Sequence, residues 1–370
     1  MKTKHSLISP SNFERRMLCP GSLNAEKDLP EITSVYAEEG KLLHDRVNQL
    51  ITGNTAWLHS LETDQKDAVY SATGYYFDLV KEDNNNVSET NIIIKDIHEK
   101  TFDLSFIYPE MKGTADSVLL TFEPTTDSYD LHVIDYKFGK GVLVTADQNY
   151  QLLLYYLGVV NDPEIEELLQ DKKYNVHLHI VQPYKMNSVW SLNETEKLLF
   201  SNLEMYQDIA QKCYKPDAPR IASKKACQFC KAKPTCPALA KFVPDTKTKL
   251  GELSDEQIAT IYDNKDLITM YLKSVEEHIK NRLEQGSFMN YTLKPKLSNR
   301  KWNDDAYDYL VENLSEEAFE VSSKLIGITK AEKLLGKEVV NKLTIREEGA
   351  NEIVKISDES KEIFKTFNND

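Results

Sequence analysis

Two sets of side chains in this sequence have types and spacings that could do chemistry. Three cysteines cluster as Cys227-Gln-Phe-Cys230 and Cys236, and a fourth lies far upstream in Leu18-Cys19-Pro20. Four thiolates are a complete ligand set for one iron–sulfur cluster or one zinc ion. Drawn from both ends of a long segment, they would make the metal a clasp. Cys213 stands outside the set and reads as a partly buried free thiol. Between the halves of the clasp lie Asp116, the triplet Asp135-Tyr136-Lys137, and Gln151 with Tyr155 one helical turn on. A carboxylate can bind a divalent cation, and an amine beside it can orient attacking water or help deprotonate it. Together they suit phosphodiester hydrolysis.

Those residues need elements to position them. Leu131 to Lys137 reads as a strand, so Asp135 and Lys137 face one side with Leu131 and Val133, and Tyr136 faces the other. Gly113 to Phe122 reads as the preceding strand, with the turn Pro124-Thr-Thr-Asp-Ser128 between them. A hairpin would bring Asp116 beside Asp135, and two such carboxylates make an oxygen-rich site for magnesium or manganese. Gly113 would permit close backbone approach. His44 is a third candidate ligand, on a helix from about Val35 to Ile51, with Gly40 one turn before it to let the helix approach the sheet. Thr145 can cap a helix reaching Val160 that carries Gln148, Gln151 and Tyr155 on one face, where an amide and a phenol could hold a phosphate or a base edge.

Further elements complete the pattern. Ser11 can cap a short helix ending at Leu18, and residues 62 to 82 read as another helix before the polar break Asp83-Asn-Asn-Asn-Val. Asn91 to Ile97 and Tyr174 to Gln182 read as strands. The order helix, three strands, helix, strand predicts an α/β fold with a mixed central sheet flanked by helices. After Pro244 the sequence turns charged and helical, with one short strand at Met289 to Lys296 and a polar, frayed tail. The expected division is a domain over 1–244 and a mainly helical extension over 245–370.

The 370 residues, 41% hydrophobic and 28% charged, are ordinary for a soluble globular protein. No apolar run approaches the roughly 18 residues of a membrane span, and no signal peptide is recognisable, so a cytoplasmic location is expected. Clustered cysteines in a reducing cytosol favour metal over disulfides. The net charge of −14 does not mark a nucleic-acid binder, but Lys212 to Lys241 forms a basic island around the cysteines that includes Lys224 and Lys225. The island reads either as a phosphate track or as compensation for a thiolate-bound cluster.

Gly40-x-x-x-His44, Gly-Thr-Ala-Asp116, Asp135-Tyr-Lys137 and Gln151-x-x-x-Tyr155, in this order, resemble the RecB-like branch of the PD-(D/E)XK nucleases. The cysteine set is similar to the iron-staple subgroup of that branch, which includes AddB-type helicase-nucleases and CRISPR-associated exonucleases. Ser9-Pro-Ser-Asn, Arg300-Lys-Trp302 and Ala331-Glu-Lys-Leu-Leu-Gly336 resemble a prophage-encoded family in the group. The resemblance implies a restriction-endonuclease-like αβββαβ core and a [4Fe-4S] cluster on Cys19, Cys227, Cys230 and Cys236. It implies Mg2+ or Mn2+ on His44, Asp116, Asp135 and the Tyr136 carbonyl, with Lys137 as catalytic lysine and Gln151 and Tyr155 near DNA. Its partners would be DNA and possible phage recombination or single-strand annealing proteins, and an exonuclease is expected before an endonuclease. No Gly-x-x-x-x-Gly-Lys-Ser/Thr loop accompanies these motifs, so no motor is evident. The competing reading is a non-catalytic, zinc- or cluster-stabilised DNA-binding scaffold.

Overall fold

The computed structural model describes residues 7–30, 35–81, 92–243, 253–286, 288–321 and 324–355. The expected break at 83–87 and the expected domain boundary at 244/245 lie outside them. The chain forms two compact units, Met1–Tyr271 and Leu272–Asp370. Among the described residues no helix is long and apolar enough to cross a membrane.

The first unit opens with α1 (Pro10–Leu18), α2 (Ser22–Glu26), α3 (Val35–Ile51) and α4 (Thr63–Lys81). Ser9, not Ser11, caps α1, in a capping box with Asn12 and with Pro10 supplying the preset first turn. Then come β1 (Ile92–Asp103), β2 (Lys112–Glu123) and β3 (Ser128–Tyr136). They are followed by α5 (Tyr150–Val160), α6 (Pro163–Leu169), β4 (Tyr174–Val181) and β5 (Ser188–Leu192). The five strands form one sheet in order β1-β2-β3-β4-β5, antiparallel except for the parallel pair β3 and β4. Sequence patterning missed β5 as a strand. The unit continues through α7 (Glu194–Phe200), α8 (Leu203–Tyr214), α9 (Lys224–Gln228), α10 (Pro237–Ala240) and α11 (Asp255–Asp263) to the start of α12 (Lys265–Glu284).

Strand alternation sorts two cores onto the two faces of the sheet. Val118, Leu120, Leu131 and Val133 pack with α5 on one face. Ile134, Tyr136 and Val181 pack with Leu43, Val47, Val69 and Ala72 of α3 and α4 on the other. Leu152 through Val159 are all buried, so α5 is apolar on every side and forms the centre of the first core. Asn149, not Thr145, caps α5 by accepting from the Gln151 and Leu152 amides. Gln148 precedes that cap, exposed and at φ 52°, so it does not share the helical face with Gln151.

The second unit holds the rest of α12 and carries more helix than strand among its described residues. It contains β6 (Tyr291–Leu297), β7 (Lys301–Trp302), α13 (Ala306–Leu314), β8 (Phe319–Val321), β9 (Lys324–Leu325), α14 (Ile328–Leu335), α15 (Lys337–Lys342), β10 (Thr344–Ile345) and β11 (Glu348–Lys355). The strands form two-stranded pairs, β6 with β11, β7 with β10 and β8 with β9. Short strands between turns carry too little alternation to be read locally. Trp302 packs half-buried against this unit's core and its indole N–H donates to the Ile326 carbonyl at 3.2 Å. Arg300 pairs with Glu332 at 2.7 Å. Both residues therefore hold the unit together.

At the far end of the α3/α4 face lies a histidine relay. Tyr75 Oη is 2.9 Å from His179 Nδ1, and His179 Nε2 is 3.0 Å from His132 Nδ1. His132 stacks on His177, which contacts Asp130 at 3.2 Å. Burial, then the neighbouring imidazoles, lower His179 to about 2. Burial and His177 lower His132 to about 4, against the pull of Asp130. Unfolded histidine titrates near 6.5, so below that pH the unfolded chain binds more protons and stability falls as pH drops. Urea melts at pH 7 and pH 5 should differ, with His179 alone contributing on the order of 1–2 kcal/mol. His179→Asn should flatten the pH dependence, and an unaltered slope would refute this account.

Candidate active site

The pair Ser117↔Ile134 is the last rung of the β2–β3 ladder, and one step beyond it Asp116 and Asp135 lie side by side. Asp116 Oδ2 accepts the Tyr136 backbone N–H at 2.7 Å. His44 Nδ1 approaches the same oxygen at 3.3 Å, reaching it from α3 while its ring packs edge-on against Phe138. Asp135 is 2% exposed, at the end of a strand that is otherwise core. Its Oδ2 lies 2.7 Å from Lys137 Nζ and accepts no hydrogen bond of good geometry among the described residues. Gln151 joins the set, its Nε2 donating to Asp135 Oδ1 at 3.1 Å while its Oε1 accepts from Lys137 Nζ at 3.1 Å. The Asn149 cap fixes the first turn of α5 and so fixes the direction of this amide.

Electrostatics follow from crowding like charges under cover. Burial raises the Asp135 carboxyl above the usual carboxylate range, the adjacent Lys137 ammonium opposes this, and Asp116 reinforces it. Burial works against charge on His44, but the Asp116 carboxylate and the hydrogen bond to it prevail and raise the imidazole. A buried carboxyl raised beside a second carboxylate, as Asp135 is beside Asp116, is one a divalent cation would relieve. The donor set of imidazole, carboxylates and the Tyr136 carbonyl is of the type that fits Mg2+ or Mn2+.

Tyr155 corrects one expectation. It is 6% exposed, and its hydroxyl accepts from Gln151 Nε2 at 2.9 Å. It supports Gln151 from below, so it positions the site and does not offer a DNA contact. Gly40 corrects another: a Cβ there would meet nothing within 4 Å, so close helix approach does not explain it. Gly113 does require a bare Cα, since a Cβ would lie 2.4 Å from Pro10 Cγ and 3.0 Å from Tyr155 Cε1. Gly113→Ala should therefore cost about 1–3 kcal/mol. It should also lower activity by displacing Tyr155. A melt and a rate matching the parent would contradict that packing.

Sequence reasoning missed Glu99. His44, Glu99 and Asp116 each offer a ligand atom, and these atoms lie within 4.8 Å of one another. Its surroundings, then Asp116, raise the Glu99 carboxyl. A signal was present: Glu99 lies two residues after Ile97, on the strand preceding Asp116.

The four expected cysteines share one cavity lining. Cys19, Cys227, Cys230 and Cys236 line one small cavity with Ala226 and Leu239. Burial raises the Cys19, Cys227 and Cys230 thiols, the last to about 12, so loading a metal would displace protons. Among the described residues no three of these sulfurs come within 4.8 Å of one another. A tetrahedral zinc at about 2.3 Å from each sulfur would hold them about 3.8 Å apart, closer than any three of them stand here. Cys213 is buried outside the lining, with its thiol donating to the Arg16 carbonyl at 3.4 Å.

Protein contacts latch the two ends of the clasp. Glu26, 4% exposed, takes Arg15 at 2.5 Å, Arg16 at 2.6 Å and the Lys231 amide at 2.7 Å. Burial alone would raise this carboxyl, but the two guanidiniums hold it below the usual range. The Ile221 amide donates to Cys19 Sγ at 3.2 Å. α1 connects the cysteine cavity to the candidate site, with Phe13 packed on Tyr150 and Tyr206.

Lys224 and Lys225 are exposed as expected, but each already has an acid, Asp266 at 3.1 Å and Glu14 at 2.8 Å. Residues 5–361 match a family described as a protein of unknown function (DUF2800). That match spans nearly all of the sequence, so the chain belongs to the DUF2800 family.

Proposed function

We propose that this protein is a divalent-metal-dependent deoxyribonuclease, acting from DNA ends, whose nuclease fold is closed by a four-cysteine iron–sulfur clasp. The observation that carries this is that the His44–Asp116 pair and the Asp135–Lys137–Gln151 group stand at adjacent strand ends, tied by the Tyr136 N–H that Asp116 accepts. His44, Asp116, Asp135 and the Tyr136 carbonyl would hold Mg2+ or Mn2+. When bound, the cation supplies Lewis-acid stabilisation of phosphoryl charge and makes water a better nucleophile at neutral pH.

The chain's own residues do the rest. Asp135 holds the Lys137 ammonium at the edge of the site, and Gln151 fixes it from the other side. From there Lys137 can orient water or neutralise charge on the phosphate in flight. Tyr155 and the Asn149 cap keep Gln151 from turning away. Cys19, Cys227, Cys230 and Cys236 would hold a [4Fe-4S] cluster in a structural role. The setting that fits the resemblance is phage recombination beside a strand-annealing partner.

The test is digestion of end-labelled linear DNA and covalently closed circular DNA with Mn2+ or Mg2+. Linear DNA should be degraded, circular DNA spared, and chelator should stop the reaction. Absence of cleavage of either DNA by cluster-loaded protein would refute the reading.

DNA would also meet the basic island. The Lys224 and Lys225 ion pairs are solvent-exposed and weak, so phosphate can displace their acids. Lys224→Glu with Lys225→Glu should weaken binding alike for all sequences and reduce the salt slope by about one unit per lost contact. Filter binding across salt concentrations reads this. An unchanged slope would mean that these lysines only balance local charge.

A further inference from the structure

Between β3 and α5 the chain makes a loop, Phe138-Gly-Lys-Gly-Val-Leu-Val144, that continues to the Asn149 cap. Lys137 stands just before this loop and Gln151 just after it, and the two side chains meet at 3.1 Å. Asp135 pairs with Ile180 and Tyr136 with Val181, and the Lys137 N–H donates to the Val181 carbonyl at 2.8 Å. One step further along the chain is Gln182, which by alternation shares the sheet face of Ile180 and Asp135. Gln182 is 1% exposed, and its side-chain amide holds the loop. Its Nε2 donates to the Gly139 carbonyl at 3.2 Å and the Val142 carbonyl at 2.6 Å, and its Oε1 accepts the Val144 N–H at 3.1 Å. The β4–β5 turn secures the clamp, with Asn187 Oδ1 accepting the Gln182 N–H and Ser188 Oγ accepting the Ala146 N–H, both at 2.8 Å.

This clamp sets the direction of the loop's backbone. In a trans peptide the C=O and the next residue's N–H point opposite ways. The Gly139 and Val142 carbonyls turn in to the buried amide, so the Lys140 and Leu143 N–H groups turn away from it. Both residues are exposed, and among the described residues neither N–H has a hydrogen-bond partner. Gly139 and Gly141 flank Lys140. Neither has a left-handed backbone, and a Cβ on either would meet nothing within 4 Å, so nothing inside the protein requires the two glycines. Bare Cα atoms toward solvent suit a ligand that comes close to the backbone. Lys140 adds an ammonium, which lies 4.4 Å from the centre of the Tyr184 ring and pairs with Asp64 at 2.9 Å. Both partners of that pair are about half exposed, so a phosphate can displace the Asp64 carboxylate. Free backbone N–H groups beside a lysine make a cradle for a phosphate.

We propose that loop 139–143 is a phosphate-binding strap. It seats a phosphodiester of the DNA strand on the Lys140 and Leu143 N–H groups and the Lys140 ammonium, and Gln182 is the positioning residue that aims it. The proposal rests on the DNA-cleaving reading of the site. It gives DNA an anchor made largely of neutral donors, close in sequence to Lys137, in a chain whose net charge is −14.

Binding of a fluorescent DNA oligonucleotide to the intact, cluster-loaded chain, with Ca2+ in place of Mg2+, tests this without a cleavage assay. Gly139→Ala and Gly141→Ala remove no contact, so their melting curves should match the parent or lie slightly higher. Each should bind the oligonucleotide at least about tenfold more weakly, because a methyl group holds the phosphate off donors whose hydrogen bonds are charge-assisted. Their salt slope should stay at the parent's value, since the lost donors are neutral, whereas Lys140→Ala should lower it by about one. Gln182→Met should weaken binding comparably, and adding Gly141→Ala to it should weaken binding little further, because both act on the same donors. Full additivity would overturn the role of Gln182. Alanine variants that bind like the parent or melt below it, or a parent that binds no oligonucleotide, would overturn the strap. The outcomes separate from those for the nuclease reading. A parent that cleaves DNA while its alanine variants bind equally well keeps the nuclease and loses the strap. Weaker binding by the variants of a parent that cleaves nothing does the reverse.

Discussion

Asp135→Asn is expected to lower DNA cleavage by about three powers of ten or more while much of the DNA affinity remains. A catalytic cation contributes several kcal/mol to transition-state stabilisation, and each 1.36 kcal/mol is tenfold in rate. Asp135 is the buried member of the pair, so no water-exposed carboxylate can take its place. Its neutral amide would still accept from Gln151 Nε2 but would leave the Lys137 ammonium without its charge partner. Lys137→Ala should remove cleavage comparably and leave Mn2+ binding intact, because the amine faces the carboxylates from outside the oxygen set. The measurements are single-turnover rates on end-labelled duplex and Mn2+ dialysis on the same samples. Loss of Mn2+ in the lysine variant with retention in Asp135→Asn would reverse the assigned roles.

The second large effect is at the clasp. Cys19→Ser should yield colourless protein without stoichiometric iron. Metal-binding free energy is also folding free energy, on the order of 10 kcal/mol for structural sites. The Glu26 latch to Arg15, Arg16 and Lys231 survives the substitution, so the chain should still fold but melt at least about 10 °C lower. Activity should fall with it, because α1 carries Phe13 against Tyr150 beside Gln151, and Pro10 against Gly113. Cys213→Ser should keep both iron and melting temperature, since that thiol lies outside the cavity. Iron assay and thermal melts decide the matter. A bleached Cys213→Ser, or zinc in place of iron in anaerobically prepared parent, would overturn the ligand assignment.

The sequence by itself determined which residues meet, wherever local pattern carries the information. Alternation put Asp135 on the face of Leu131 and Val133, because side chains alternate along a regular strand. A short turn between two strand-like runs made a hairpin, which brought Asp116 to Asp135 and the Tyr136 amide. Helical spacing joined Gln151 to Tyr155. Cysteine count and spacing picked out four residues that line one cavity, because clustered thiols with one distant partner form a possible ligand set whatever lies between them.

Tertiary structure decided what depends on distance through space. His44 could be matched to a motif, but only the packing of α3 over the sheet sets it 3.3 Å from Asp116. For Glu99 the sequence signal was weak, because its approach to Asp116 and His44 needs β1 in register with β2 and a backbone at φ 49°. Tyr155 reads as a polar tip on a helix face, yet that face is the centre of a core, and burial turned a DNA contact into a support. The caps moved for a related reason. Ser11 and Thr145 have the right chemistry, but the chain bends at Ser9 and Asn149, where Pro10 and the Gln148 turn set the entry angles. The acids facing Lys224 and Lys225 come from Glu14 and Asp266, residues remote in sequence, so a basic island in one dimension is a partly neutralised surface in three.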